Sequence, residues 1–245
     1  MEIKVGKKGT LPERLLLYGE KGIGKTTFAS RAEGCIFIPT EDGCSSVDGL
    51  AQFELQSTYE GVLKCVAQLL NENHKYQTVV IDTADSLVSI ISDEVMKRDF
   101  EDKPLKFNNF LAGNKVVTQE LKRMLSGLDM LREKKKMRII LLAHSGILNK
   151  KNPDGNDYMK ISGDMPKFTW GLLFGWVDRL GYAGYEFSVK GGNDAENQKG
   201  KVIQRDSNRY IWFGGNAAVE AKTRVGFELK ADKVLFTYKD YKEAQ

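Results

Sequence analysis

No run of apolar residues in this chain approaches the roughly 18 that a membrane-spanning helix needs. Met1–Thr10 is polar and basic, with no apolar signal-peptide core. Cysteine is scarce: Cys35, Cys44 and Cys65 form no CxxC and no paired spacing. That argues against a disulfide framework and against a zinc site. Two histidines, His74 and His144, do not support a histidine-rich metal centre. There is no internal repeat and no low-complexity stretch, and the only charge run is Arg132–Arg138. Excess charge is small, +4 over 245 residues, which permits nucleic-acid binding without demanding it. What remains is an ordinary globular profile, 41% hydrophobic and 29% charged. The expectation is one soluble, cytoplasmic domain over residues 1–245, with no membrane partner.

Continuous apolar runs alternate with helical spacing. Arg14–Tyr18, Cys35–Pro39, Thr78–Ile81 and Arg138–Ala143 read as buried strands. Thr26–Arg31, Tyr59–Asn71, Ser86–Lys97, Val116–Glu133 and Phe168–Val177 read as helices. Asp99–Gly113 and Asn149–Asp164 read as loops, and Gly191–Gly200 as a hairpin tip between Arg179–Lys190 and Val202–Phe213. A further strand signal lies at Val234–Tyr238. Buried strands separated by helices predict a mostly parallel sheet covered on both faces. The later strands, joined by short connections, predict an antiparallel extension near the C-terminus.

Gly19-Glu20-Lys21-Gly22-Ile23-Gly24-Lys25-Thr26 fits the phosphate-loop pattern G-x-x-x-x-G-K-[ST] without a mismatch. Glycines let the backbone wrap an anion with its N–H groups inward. The helix that follows turns its positive end to the phosphates. Lys25 is a compact charge able to reach the β- and γ-phosphates, and the Thr26 hydroxyl can ligate Mg²⁺. These residues, with Thr27, form the expected nucleotide site. Asp82, ending the Thr78–Ile81 run, is the expected second metal group, acting through coordinated water; the alternative is a helix cap, a role open also to Thr83 or Asp85.

Thr83 follows Asp82, where many P-loop ATPases carry a glutamate. The base that activates water must then come from elsewhere. Glu41, after the Cys35–Pro39 strand, is the expected base, with Asp42 as the alternative. His144 ends the fourth strand at the same edge, where it can donate to a γ-phosphate oxygen and sense its presence.

This order of features resembles the RecA family of recombinases reduced to the ATPase core, and more closely the short RecA-like annealing proteins of bacteriophages. Phe37-Ile38-Pro39-Thr40-Glu41 is similar to the segment carrying that family's catalytic glutamate. Ile139–His144 is similar to its switch strand, with Ala143-His144-Ser145 as in the phage group. Glu220-Ala221-Lys222-Thr223-Arg224 resembles the segment whose two basic residues reach a neighbour's ATP. The resemblance covers about Leu15 to Phe227. It implies an α/β, RecA-like P-loop NTPase that binds ATP and Mg²⁺ in a homo-oligomer, the nucleotide lying between subunits. Lys222 and Arg224 would then act in trans. It also implies single-stranded DNA as partner, with a single-strand-binding protein as a further one, and a bacterial host cytoplasm as location. No separate N- or C-terminal DNA-binding domain is expected.

Two loops bear on nucleic acid. Lys97–Lys115 interleaves Phe100, Phe107 and Phe110 with cations, the pattern of a single-strand stacking platform; the alternative is a solvated loop whose phenylalanines enter the core. Gly146–Lys167, the counterpart of the family's mobile DNA loop, is almost neutral over Asn149–Lys167. Rival readings are a helicase- or loader-like motor of the same fold, a small-molecule phosphotransferase such as a nucleotide kinase, and a non-hydrolysing nucleotide switch.

Overall fold

The computed structural model describes residues 11–44, 47–153, 155–190 and 201–245. The expectations for Met1–Thr10 and for the tip Gly191–Gly200 lie outside them. Among the described residues nine strands form one sheet in the order β2-β3-β4-β1-β6-β7-β9, with β5 paired to β4 and β8 to β6. The strands are β1 (Arg14–Gly19), β2 (Cys35–Pro39), β3 (Thr78–Asp82), β4 (Arg138–Lys150), β5 (Tyr158–Gly163), β6 (Arg179–Lys190), β7 (Lys201–Trp212), β8 (Lys222–Thr223) and β9 (Lys233–Leu235). β2, β3, β4, β1 and β6 are parallel. β5, β7, β8 and β9 join antiparallel. The expected mostly parallel sheet with an antiparallel extension is therefore present.

Period-two alternation in the central strands divides two cores. Leu16, Tyr18, Val79, Ile81, Ile139 and Leu141 face α2 (Tyr59–Asn71), α3 (Ala84–Phe100), α5 (Ala112–Lys134) and α6 (Lys167–Trp176). Leu15, Leu17, Val80, Ile140 and Leu142 face α1 (Lys25–Ala29) and α7 (Tyr238–Ala244). Both faces are covered, which is why these strands read as unbroken apolar runs rather than as alternation. Among the described residues no helix is long and apolar enough to cross a membrane.

Two loop expectations are corrected. Asp99–Gly113 contains α4 (Pro104–Asn108), started by a proline in its first turn, and a short 3₁₀ turn at Asn109–Leu111. Asn149–Asp164 is not a loop throughout: β4 runs on past the sheet and pairs with β5, Ile147 opposite Ile161 and Asn149 opposite Met159. This two-stranded arm reads as a loop because its apolar residues come in adjacent pairs, Ile147-Leu148 and Tyr158-Met159, among Asn, Lys, Gly and Asp, without a strand's alternation.

Candidate functional site

The C-terminal ends of β1, β2 and β3 converge with the middle of β4. Their register places Gly19 beside His144, and Pro39 beside Asp82. β4 lies between β1 and β3, so His144 stands between the phosphate loop and Asp82. A cavity of about 540 Å³ opens there, within the range that holds small-molecule ligands. It is lined by Lys21, Gly22, Gly24, Lys25, Thr26 and Thr27 of the loop, and by Glu41, Asp82 and His144 opposite. Asp42 lines it too.

Of the remaining loop residues, Gly19 and Glu20 offer carbonyls to Lys25 Nζ, each at 3.0 Å. The Ile23 side chain is buried in the second core, so only its backbone is available to the site. α1 is five residues long, shorter at its end than the expected Thr26–Arg31. The positive character at its start thus comes from first-turn N–H groups rather than from a long helix dipole.

Thr26 Oγ1 donates to Asp82 Oδ2 at 2.8 Å. A hydroxyl and a carboxylate meeting beside the phosphate loop are the donor set a hard divalent ion takes, so these residues fit Mg²⁺. Burial raises the Asp82 carboxyl above the ordinary aspartate value; the Thr26 hydrogen bond opposes this and the Glu41 charge adds to it. Burial likewise pulls Lys25 below the usual lysine value, against the attraction of Asp82, Asp85 and Glu41. Cys44 Sγ lies 3.6 Å from Asp82 Oδ2. Burial and the neighbouring carboxylates push that thiol up to about 12, which keeps it a protonated donor rather than a nucleophile.

Glu41 is anchored to the end of β3: its N–H and that of Thr40 donate to the Asp82 carbonyl at 3.3 and 2.8 Å. Its Oε2 accepts from Ser86 Oγ at 2.9 Å, and its Oε1 lies 3.6 Å from His144 Nε2. Sequence reasoning assigned Asp85 no more than a helix-capping role. In the structure Asp85 accepts from the His144 backbone N–H at 2.9 Å, and its Oδ2 lies 2.8 Å from His144 Nδ1. A carboxylate can only accept, so Nδ1 carries the hydrogen and Nε2 is the nitrogen turned toward Glu41. Thr83 occupies the N-cap of α3 with no capping bond from its side chain; its hydroxyl donates to Ser86 instead. Glu41, Asp85 and His144 offer ligand atoms within 4.8 Å of one another. Because Asp85 spends both oxygens on His144, the set is a carboxylate facing an oriented histidine rather than a metal centre.

Lys222 and Arg224 are not brought to this site. Lys222 pairs with Leu180 near the start of β6, whereas the phosphate loop leaves β1 at the opposite end. Lys222 Nζ lies over the Phe174 ring, and Arg224 holds Asp178 at 3.3 Å and the Gly175 carbonyl at 2.6 Å.

The loop preceding α5 is partly committed as well. Phe100 and Phe107 meet edge to face at 5.4 Å and pack on the first core, while Phe110 projects. Lys103 and Lys106 both pair with Glu101, and Arg98 pairs with Asp99 and Glu120.

The sequence model of a family described as an AAA domain matches residues 11–225. No curated protein matches the chain.

Proposed function

This chain belongs to the AAA domain family, an AAA-type P-loop ATPase, over residues 11–225, and we propose that it hydrolyses ATP to control binding and annealing of single-stranded DNA in phage-type recombination. The observation that carries the hydrolytic part is the placement of Glu41: a carboxylate across the cavity from Lys25 and Thr26, held by Ser86 and facing an oriented histidine. Phosphate oxygens are received by loop N–H groups and by Lys25. Thr26, and Asp82 through coordinated water, would hold Mg²⁺, which would supply neutralisation of phosphate charge. Glu41 orients water and takes its proton. His144 Nε2 faces the same space; with Nδ1 held by Asp85, it would donate to a γ-phosphate oxygen only as the imidazolium, and in that form would register whether the phosphate is there.

The route to DNA runs along β4. His144 is followed directly by the arm, and its carbonyl accepts from Asp164 N–H at 2.9 Å. A shift of the histidine therefore moves both arm strands. The arm exposes Ile147 and Met159 on one face and Tyr158 on the other, apolar groups on which bases can stack, and carries Lys160 beside Tyr158. Its other two lysines are paired, Lys150 with Glu220 and Lys151 with Asp157, so binding here depends on stacking more than on charge. Phe110 beyond α4 is a second exposed ring. Lys222 and Arg224 reach no phosphate in their own chain; a role for them requires a second copy that presents them to its neighbour's loop.

The test is Mg²⁺-dependent ATP turnover with and without single-stranded oligonucleotide, beside retention of the labelled oligonucleotide and size in solution. Turnover should rise with DNA. Glu41→Gln should lose about 10²–10⁴-fold of it while still binding nucleotide. Turnover indifferent to Glu41 sinks the proposed chemistry. Oligonucleotide retention indifferent to ATP sinks the DNA assignment, and strand unwinding would replace annealing by a motor.

A further inference from the structure

The antiparallel extension reaches the phosphate loop at Arg209. Arg209 on β7 donates from Nη1 to the Ile23 carbonyl at 2.7 Å. Its guanidinium lies over the Phe236 ring, 5.5 Å from the centroid. Phe236 in turn stacks on Phe28 of α1, 5.4 Å away with the planes 5° apart. The Arg209 backbone is also fixed, because its carbonyl accepts from Phe236 N–H at 2.8 Å. Arginine, two aromatic rings and the first helix thus form one stack against the outside of the loop.

What that contact fixes follows from peptide geometry. The Ile23 carbonyl and the Gly24 N–H belong to one planar trans peptide and point in opposite directions. Holding the carbonyl toward Arg209 turns the N–H away from Arg209, and Gly24 lines the cavity. A cationic donor also polarises that peptide and strengthens its N–H as a donor. Gly24 has φ +104°, and a Cβ there would stand 2.8 Å from Arg209 Nη1. Glycine is therefore required both for the backbone bend and for the arginine's approach.

We propose that Arg209 is a positioning residue of the phosphate site: through the Ile23 carbonyl it holds the loop in its anion-binding geometry before nucleotide arrives. The proposal rests on the nucleotide-binding function argued above. A glycine-rich loop loses conformational freedom when it closes on a ligand, and a loop already held has less to lose. Arg209 remains exposed on its outer side, so water competes for the contact and the effect is modest.

The experiment measures the Kd of fluorescent ATP and ADP analogues with Mg²⁺ for wild type, Lys25→Ala, Arg209→Ala and Arg209→Lys, beside each protein's urea midpoint without nucleotide. Arg209→Ala should weaken ATP and ADP alike, by about three- to tenfold, the size of one charge-assisted hydrogen bond partly shared with water. Arg209→Lys, which keeps a cation for both the carbonyl and the ring, should recover most of that loss. A lower midpoint with unchanged Kd overturns the proposal, because the residue would then be merely structural. Weakening of ATP alone also overturns it, since that marks an arginine reaching the γ-phosphate. A wild type that binds neither nucleotide, or Lys25→Ala that binds as well as wild type, sinks the nucleotide reading itself and this proposal with it.

Discussion

Lys25 is costly where it stands. The residue is 6% exposed, and two backbone carbonyls answer its ammonium in place of a phosphate. Burial lowers its pKa below the ordinary lysine value. At pH values between the lowered value and the ordinary one, the unfolded chain holds a proton that the folded chain has released, so this residue makes stability rise with pH there. Lys25→Met carries no such proton. The stability of wild type relative to Lys25→Met should therefore improve as pH increases from neutral into the alkaline range. Urea midpoints of the nucleotide-free proteins check this, and curves that stay parallel would refute it. Glu41, Asp82 and Lys25 were legible in the sequence because each is tied to the end of an apolar run or to a motif. Asp85 was not, because its partner His144 is 59 residues away and only the fold brings them together.

At the scale of elements, Gly19 shows a glycine serving the sheet as well as the loop. β1 lies against β6 with Gly19 opposite Ala183, and a Cβ on Gly19 would stand 2.4 Å from the Ala183 carbonyl oxygen. That oxygen is backbone and cannot swing aside. Gly19→Ala should cost about 1–3 kcal/mol of stability through overpacking, read by chemical denaturation without nucleotide. An unchanged midpoint would mean that β1 and β6 separate freely at the mouth of the loop. The helices α2 and α5 were foreseeable from their apolar spacing. The arm of β4 and β5 was not, since a half-solvated hairpin of Asn, Lys and Asp carries little periodic signal. In α4 a proline start was present in the sequence, but the aromatic spacing around it suited a stacking loop equally well.

At the scale of the whole molecule, Asp178 ties together parts distant in the chain. Its carboxylate, 2% exposed, holds Arg14 of β1 and Arg132 of α5, both at 2.9 Å, and Arg224 beyond β8. Removing it would leave Arg132 without an acidic partner among the described residues and Arg14 with Asp129 alone. Asp178→Ala should therefore cost about 3–5 kcal/mol, the usual penalty for orphaning a buried charge, and Arg224→Ala much less because that side chain is half exposed. Thermal or urea unfolding of both variants decides. Arg224→Ala that abolishes turnover at unchanged stability would instead give Arg224 a place at a neighbour's phosphate.

By itself the sequence determined the phosphate loop, the buried parallel strands and the edge at which ligand groups gather. Each of these depends on residues close together in the chain: a motif of eight, an apolar run, a polar residue at its end. Tertiary structure decided which groups meet. Asp85 orients His144, Arg209 grips a loop 186 residues earlier, and Lys222 and Arg224 fall at the opposite end of the sheet from the phosphate loop. The physical reason is register: a side chain's partner across a sheet is set by how distant strands align, and no local pattern of residues encodes that alignment.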